Sequence, residues 1–172
     1  MAIPTKTPEV EIHDVQIRDV VIREAGLADH AFIRAQAPRL AGIANLPGRP
    51  AAAIQAFQDA LIEAALTSPP AGSRTLIACM SPETPLGFIH LEPAADPLLN
   101  TPAGYVSMVA VATGAEGCGI GHLLMQAAEA WGREQGFTCL SLDAFASNRH
   151  ARAFYESQGF HEDSVKLYKL LD

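Results

Sequence analysis

The chain has 172 residues, of which 49% are hydrophobic and 18% charged, and its net charge is −7. These values are typical of one globular domain with its own core, and they exclude a disordered or collagen-like chain. An acidic surface repels phosphate backbones, so nucleic acid is not an expected partner. No apolar stretch reaches the roughly 18 residues that a membrane span needs, and no signal peptide is evident.

Three cysteines, Cys79, Cys118 and Cys139, are scattered along the chain. They form no CxxC pair, and their spacing to histidines fits no zinc motif, so we expect no bound metal. Cysteines that are too few for a disulfide framework indicate a reducing compartment. The expected location is therefore the cytoplasm.

The chain divides into a short extension and one domain. Residues 1–16 contain Pro4 and Pro8, which interrupt regular structure, and are expected to form an N-terminal extension. Residues 17–172 are expected to form a single domain, because no second linker and no internal repeat follow.

The first half of the domain predicts one strand and two helices. Branched residues predict a strand at 20–22, and Asp29 is placed to begin a helix. A second helix follows the loop at 47–50. Its apolar face is predicted to consist of Ile54, Phe57, Leu61 and Ala65.

Strands at 75–79 and 86–91 follow and are expected to form a hairpin. A proline-rich loop is predicted over 93–102, and the strongest strand of the chain over 105–111.

The second half alternates strands and helices. A glycine-rich turn at 114–121 leads into a helix that ends at Gly136, followed by a strand at 137–144. A short helix at 151–158 and a final strand at 165–171 complete the order. The apolar face of the long helix is predicted from Leu124, Ala127, Ala128 and Trp131. This order predicts a mixed α/β layer fold.

The glycine-rich turn is the first candidate site. Gly117, Gly119 and Gly121 permit a tight turn and a close approach of the backbone to a ligand. The unpaired N–H groups and positive dipole end of the helix that follows favour a phosphate or pyrophosphate. An ordinary strand-to-helix turn would show the same pattern. A Rossmann nucleotide site with Asp143 as its acidic residue is disfavoured, because the loop comes late in the chain.

A second cluster follows the next strand. Asn148, Ala151 and Tyr155 lie at i, i+3 and i+7, on one face of the predicted short helix. That face is expected to point toward the glycine loop. Taken singly, Asn148 could be an N-cap and Tyr155 a core residue.

Together these motifs resemble the GNAT superfamily of acyl-CoA N-acyltransferases. The resemblance rests on residues 109–111, on the Gly119-Ile120-Gly121 turn, and on the run from Asn148 to Phe160. It implies a mixed α/β (α+β) fold with a central sheet of about seven strands and helices on both faces. It also implies a V-shaped split between the fourth and fifth family strands, which end here at Val111 and near Ala144.

The resemblance implies acetyl-CoA as cosubstrate and an amine as acceptor. It also implies direct transfer of the acetyl group to a primary amine of a small molecule, amino acid or peptide. A non-catalytic acyl-CoA-binding or regulatory module of the same fold is the alternative, and a homodimer is conceivable. The cofactor-binding residues it implies are Val109, Ala110, Val111, Glu116, Gly117, Cys118, Gly119, Ile120, Gly121, His122, Asn148, Ala151 and Tyr155.

Among these residues, Tyr155 is expected to protonate the departing thiolate, and Asn148 to bond the pantetheine or a water. The N–H of Val109 or Ala110 would polarise the thioester carbonyl. Glu116 departs from the family pattern, which has Arg or Gln at this position, and it is expected to point to solvent. Cys118 is not expected to act as a nucleophile.

The general base is less defined by the sequence. His90 and Glu92 share one face of their strand, so Glu92, His90 or a water on Ser107 could accept the amine proton. Glu92 is the residue we assign to catalysis. Solvated outer-face residues would show the same alternation. Arg34, Arg39 and Arg49 could bind an acceptor carboxylate or could be ordinary surface arginines.

Overall fold

The structure is a computed structural model that describes residues 17–171. The expected extension, residues 1–16, lies outside the described residues. The elements in chain order are β1 (Val21–Glu24), α1 (His30–Ala35), α2 (Ala37–Gly42), α3 (Ala51–Thr67), β2 (Arg74–Ser81), β3 (Thr84–Ala95), β4 (Pro102–Val111), α4 (Ile120–Glu134), β5 (Leu140–Leu142) and α5 (Arg149–Ser157). Two short 3-10 turns, Ile17–Asp19 and Leu27–Asp29, flank β1.

One mixed sheet forms the centre of the fold. Strands β1 to β4 are antiparallel neighbours in chain order, and β5 joins β4 in parallel after the α4 crossover. A parallel neighbour requires such a crossover, whereas antiparallel neighbours need only hairpins. The mixed α/β class is confirmed, but residues 17–171 contain five strands and not the expected seven.

Helices cover both faces of this sheet, as expected. Helix α4 packs Leu124 and Trp131 against one face, in a core that includes Ile89. On the other face, α1 and α3 pack Ile33 and Ile62 against strand residues such as Phe88. Both faces of β3 are therefore buried, which places it at the centre of the protein.

The predicted face of α3 is correct at Ile54 and Ala65 and partly at Leu61, but it is wrong at Phe57. Its buried residues are Ile54, Gln58, Ile62 and Ala65, whereas Phe57 is 55% exposed. Apolar residues surround much of this helix, so periodicity alone supports more than one face. Contact with Ile33 selects the face that Ile62 occupies.

The predicted loop over 93–102 is shorter than expected, because both of its ends are strand. Strand β3 runs to Ala95 and β4 begins at Pro102, leaving a turn of residues 96–101. Asp96 closes this turn, because its Oδ1 accepts the N–H groups of Leu98 and Leu99, each at 2.8 Å. An Asx turn of this kind substitutes for a longer loop.

The end of the chain differs most from the prediction. Strand β5 is shorter than predicted, and residues 161–171 form no final strand. Instead, the Tyr168 hydroxyl donates a hydrogen bond to the Pro47 carbonyl at 2.8 Å, and the Arg49 guanidinium lies 4.8 Å from the Tyr168 ring centroid. Leu170 packs against Gly48. These contacts hold the tail on the loop between α2 and α3, away from β5.

Strand β5 is consequently an edge strand of the described sheet. Beside it lies a depression of about 340 Å³, lined in part by Gly132, Phe137, Leu140 and Phe160. This depression is next to the C-terminal end of α4, whereas the candidate site lies at the other end of that helix.

Phe88→Ala should lower the free energy of unfolding by about 3–5 kcal/mol, because the ring is fully buried and its removal leaves a cavity. The matched variant Phe57→Ala should change it by less than about 0.5 kcal/mol, because that ring is exposed. Urea unfolding of both variants measures the difference. Equal losses would contradict the observed orientation of α3.

Candidate active site

A β-bulge in β4 lies at the split in the sheet, where the pairing of β4 with β5 ends. His90 pairs with Met108, but the next residue, Leu91, pairs with Val106, so Ser107 is an extra residue on β4. A bulge bends its strand and increases the local twist. The parallel pairing with β5 ends at the same place, at Val106 and Leu142, while β4 continues to Val111. From Ser107 onward, β4 therefore has no partner strand on its β5 side within residues 17–171.

The backbone groups of the separated part of β4 point in defined directions. The Ala112 N–H donates to the Leu86 carbonyl of β3 at 2.7 Å. Because successive residues of a strand direct their N–H and C=O groups to opposite edges, Ala110 also faces β3. Val109 and Val111 then direct their backbone groups to the side where β5 has ended.

The glycine loop follows β4 and leads into α4. It is anchored in the core by Ala115, which is fully buried. Gly119 has a φ of 81° and is the residue before α4, a left-handed conformation that a residue with a side chain rarely adopts. The Ile17 side chain lies over it, 2.6 Å from where a Cβ on Gly119 would be. Beyond its own chain neighbours, a Cβ placed on Gly117 would have no atom of residues 17–171 within 4 Å.

Gly121 also has a packing role that the sequence does not predict. A Cβ at this position would be 3.2 Å from the Phe154 ring, so the missing side chain lets α5 approach the start of α4. His122 reinforces the contact, since its Nδ1 lies 2.6 Å from Gln158 Oε1. The N-terminus of α4 and the helix that carries Tyr155 are therefore in direct contact.

Glu116 does not simply point to solvent. Its carboxylate forms an ion pair with Arg39 of α2. The same guanidinium donates a hydrogen bond to Thr113 Oγ1 at 3.1 Å. Arg39 thereby connects α2 to Thr113, just before the glycine loop, and to Glu116 within it. The sequence around α2 and the sequence of the loop do not predict this contact.

Asn148 is the N-cap of α5, because its Oδ1 accepts the N–H of Ala151 at 3.1 Å. Half of its side-chain amide is thus used structurally. Tyr155 lies on the same helix, with its ring centroid 5.4 Å from that of Phe154 and 6.0 Å from that of Phe160. Burial raises the pKa of the Tyr155 phenol, so the hydroxyl keeps its proton at neutral pH.

His90 and Glu92 share a face, as predicted, but His90 is not solvated: it is 1% exposed. Its Nδ1 lies 2.7 Å from Thr75 Oγ1, and its Nε2 lies 3.4 Å from the Glu92 carboxylate. Burial lowers the pKa of His90, with Glu92 opposing the shift. The ring is therefore held neutral beside a carboxylate.

This cluster extends across to the end of β5. Tyr105 is the partner of Glu92 in the β3–β4 register, and its hydroxyl donates to Asp143 Oδ2 at 2.9 Å. Burial, followed by the hydrogen bond to Asp143, raises the pKa of Tyr105. Two carboxylates, a neutral imidazole and a phenol thus lie near the base of the split.

The three arginines considered for an acceptor carboxylate all have partners. Arg34 donates to Glu63 at 2.6 Å, Arg39 pairs with Glu116, and Arg49 stacks on Tyr168. Sequence reasoning missed two features here, the Arg39 contact and the Ser107 bulge. Neither has a local sequence signal, because each depends on residues distant in the chain.

Comparison with known proteins identifies the family. Residues 31–160 match the Acetyltransferase (GNAT) family, which is most of the chain. The chain belongs to the GNAT acetyltransferase family. No curated protein sequence matches it. The resemblance noted in the sequence is therefore confirmed.

Solved structures share the GNAT fold at low sequence identity. A protein from Pyrococcus furiosus described as an acetyl transferase has a TM-score of 0.73 at 20% identity, over 88% of this chain and 99% of its own. The ribosomal-protein-alanine N-acetyltransferase of Brucella melitensis biovar Abortus has a TM-score of 0.63 at 20% identity, over 88% and 99%. The aminoglycoside N-acetyltransferase AAC(6')-Iy, solved with CoA, has a TM-score of 0.64 at 21% identity, over 88% and 94%.

Within residues 17–171, no group of three or more His, Cys, Asp or Glu side chains is arranged to hold a metal ion. No helix in that part of the GNAT chain is long and apolar enough to cross a membrane.

The buried His90 should make stability depend on pH. Its folded pKa is lowered, so the unfolded state, with a pKa of about 6.5, binds more protons as the pH falls. The contribution of neutral His90 is present above that pH and is lost below it.

Urea unfolding between about pH 7.5 and pH 5.5 should show this loss in the wild type. The loss should be smaller in His90→Gln and unchanged in His150→Gln, whose side chain is exposed. The same pH dependence in wild type and His90→Gln would contradict the assignment.

Proposed function

We propose that the chain is an N-acetyltransferase that moves the acetyl group of acetyl-CoA directly to a primary amine of a small molecule, amino acid or peptide. The observation that carries the proposal is the separation of β4 from β5 at Ser107. The glycine loop follows one separated strand, and the helix with Tyr155 follows the other. The family supplies the class of reaction, and two structural relatives are named for acetylation of aminoglycosides and of a ribosomal protein.

The free edge of β4 suits the pantetheine arm. Val109 and Val111 direct backbone donors and acceptors toward the split, so an extended amide chain can pair with them as an added strand would. The N–H groups at the start of α4, from Gly117 to His122, suit the pyrophosphate. Ile17 lies over Gly119 and would move aside for a ligand at that point, whereas Gly117 is open.

The direction of the backbone also selects between two candidates for polarising the thioester carbonyl. The N–H of Ala110 faces β3, whereas that of Val109 faces the split. A donor aimed at the oxygen where negative charge develops lowers the barrier, because it needs no reorganisation during the reaction. We therefore assign this role to Val109.

Tyr155 is assigned as the general acid. Its raised pKa keeps the proton on the phenol until a thiolate leaves. Asn148 uses Oδ1 for the helix cap, which leaves its amide nitrogen to donate to the pantetheine or to a water. Ala151 lies between them on the same helix face, where its small side chain leaves room for the cofactor.

Glu92 is assigned as the general base for the amine proton. It lies beside buried neutral His90 and opposite Tyr105. A carboxylate in this cluster can accept a proton directly or through a water. The acceptor would enter from the side covered by α1, α2 and the loop before α3.

Direct transfer is supported by the positions of the cysteines. Cys79 is buried in β2, Cys139 lies before β5 at its closed end, and Cys118 is in the glycine loop with its thiol 3.6 Å from the Glu116 carbonyl. None lies at the separation of the strands, where an acyl-enzyme nucleophile would be needed. Free cysteines are also consistent with the cytoplasmic location that we propose.

Calorimetric titration with CoA, followed by an assay of thiol release over a panel of amines, tests the proposed function. We expect CoA to bind and thiol to be released with at least one amine. Binding without release for any amine would indicate a non-catalytic module. Preference for NAD or ATP over CoA would indicate a nucleotide-binding domain.

Tyr155→Phe should lower kcat by about 100-fold, because the leaving thiolate loses its proton donor. The dissociation constant of CoA should change by less than about threefold, because removal of the hydroxyl leaves the ring packing intact. The matched variant is Tyr168→Phe, whose hydroxyl donates to the Pro47 carbonyl and to no other group of residues 17–171. An unchanged kcat in Tyr155→Phe would remove this residue from the acid role.

Glu92→Gln should lower kcat/KM by about 10- to 100-fold while preserving CoA binding, because the amine then keeps its proton. Glu83→Gln is the control, since Glu83 is exposed in the turn between β2 and β3. The decrease in kcat/KM of Glu92→Gln should be greatest at low pH, where fewer amine molecules are already deprotonated. Full activity of Glu92→Gln would transfer the role to another group of the cluster.

A further inference from the structure

The start of the glycine loop has an unusual arrangement of charge. Glu116 places a carboxylate beside the backbone groups proposed to hold a pyrophosphate. At close range, a carboxylate and a diphosphate repel each other, and the repulsion is stronger where water is partly excluded. A loop built in this way needs a compensating cation to hold a diphosphate.

Arg39 is that cation in the structure. It extends from α2 to pair with Glu116 and to donate to Thr113 Oγ1 at 3.1 Å. Both contacts use terminal guanidinium nitrogens, and Nε has no hydrogen-bond partner within residues 17–171. A guanidinium has five N–H donors, so Arg39 retains donors for a further acceptor.

We propose that Arg39 contacts the pyrophosphate of the bound acyl-CoA and supplies the positive charge that the first position of the glycine loop lacks. The inference rests on the proposed function. Glu116 holds the guanidinium at the loop before the cofactor arrives. A diphosphate carries more charge than one carboxylate and matches the planar fork of arginine, so it competes well for these donors.

This role also gives α2 a connection to the cofactor. Arg39 reaches the loop that follows β4, and the N–H of Asn45, just after α2, donates to Ser147 Oγ in the segment that follows β5, at 3.1 Å. The segment from Arg39 to Asn45 therefore contacts both sides of the split. Through Arg39, a bound pyrophosphate would help to hold this segment over the acceptor side.

Comparing two acetyl donors distinguishes a contact of Arg39 with the pyrophosphate from a purely structural role. Acetyl-CoA contains the pyrophosphate, whereas S-acetyl-pantetheine has the same thioester and pantetheine arm without it. Arg39→Gln should raise the dissociation constant of CoA about tenfold and lower kcat/KM for acetyl-CoA to a similar extent. With S-acetyl-pantetheine and the same amine, kcat/KM should stay within about twofold of the wild type.

Arg133→Gln is the matched control, because Arg133 also pairs with a glutamate but lies in the last turn of α4. This variant should leave the dissociation constant of CoA and the kcat/KM with either acetyl donor unchanged. Arg39→Lys should retain part of the CoA affinity, since the charge remains but the fork is lost.

Three results would overturn the inference, each in a distinct way. Unchanged CoA affinity in Arg39→Gln would mean that the guanidinium neither contacts the pyrophosphate nor shields it from Glu116. An equal loss with both donors would mean that it only positions α2. A wild-type protein that neither binds CoA nor releases thiol would overturn the proposed function itself, and the role of Arg39 with it.

Discussion

The site depends on one local irregularity, the extra residue at Ser107. The bulge shifts the β3–β4 register between His90 and Leu91, and the parallel pairing of β4 with β5 ends beside it. Without the bulge, β4 could remain paired with β5, and the backbone groups of Val109 and Val111 would be used within the sheet. The free edge of β4 and the position of the glycine loop that follows it depend on this bend.

Polar groups around the split are held by contacts between distant segments. Arg39 brings charge from α2 to the glycine loop, and Thr75 orients His90 beside Glu92. Tight packing of Phe154 against Gly121 brings the Tyr155 helix to the start of α4. Each of these contacts fixes a chemical group by anchoring it to a different element, which is how a rigid sheet with loops at its edge usually builds a site.

The order of elements was predictable because periodicity is strong in most of them. The α4 face that includes Leu124, Ala128 and Trp131 is buried as predicted, since only one side of that helix is apolar. The face of α3 was right at Ile54 and Ala65 but wrong at Phe57, because Phe57 and Ile62 belong to competing apolar stripes. The final strand was wrong because residues 165–171 are apolar enough for a strand, whereas Tyr168 and Leu170 contact the loop at 47–49 instead of the sheet.

The sequence alone determined the mixed α/β order, the glycine loop before α4 and the Asn148-to-Tyr155 helix, because these depend on neighbours within a few residues. Tertiary structure decided where β4 leaves β5, that His90 is buried, and that Glu116 is neutralised by Arg39. Those features join residues far apart in the chain. Their energies come from packing and from charge pairs that no local pattern encodes.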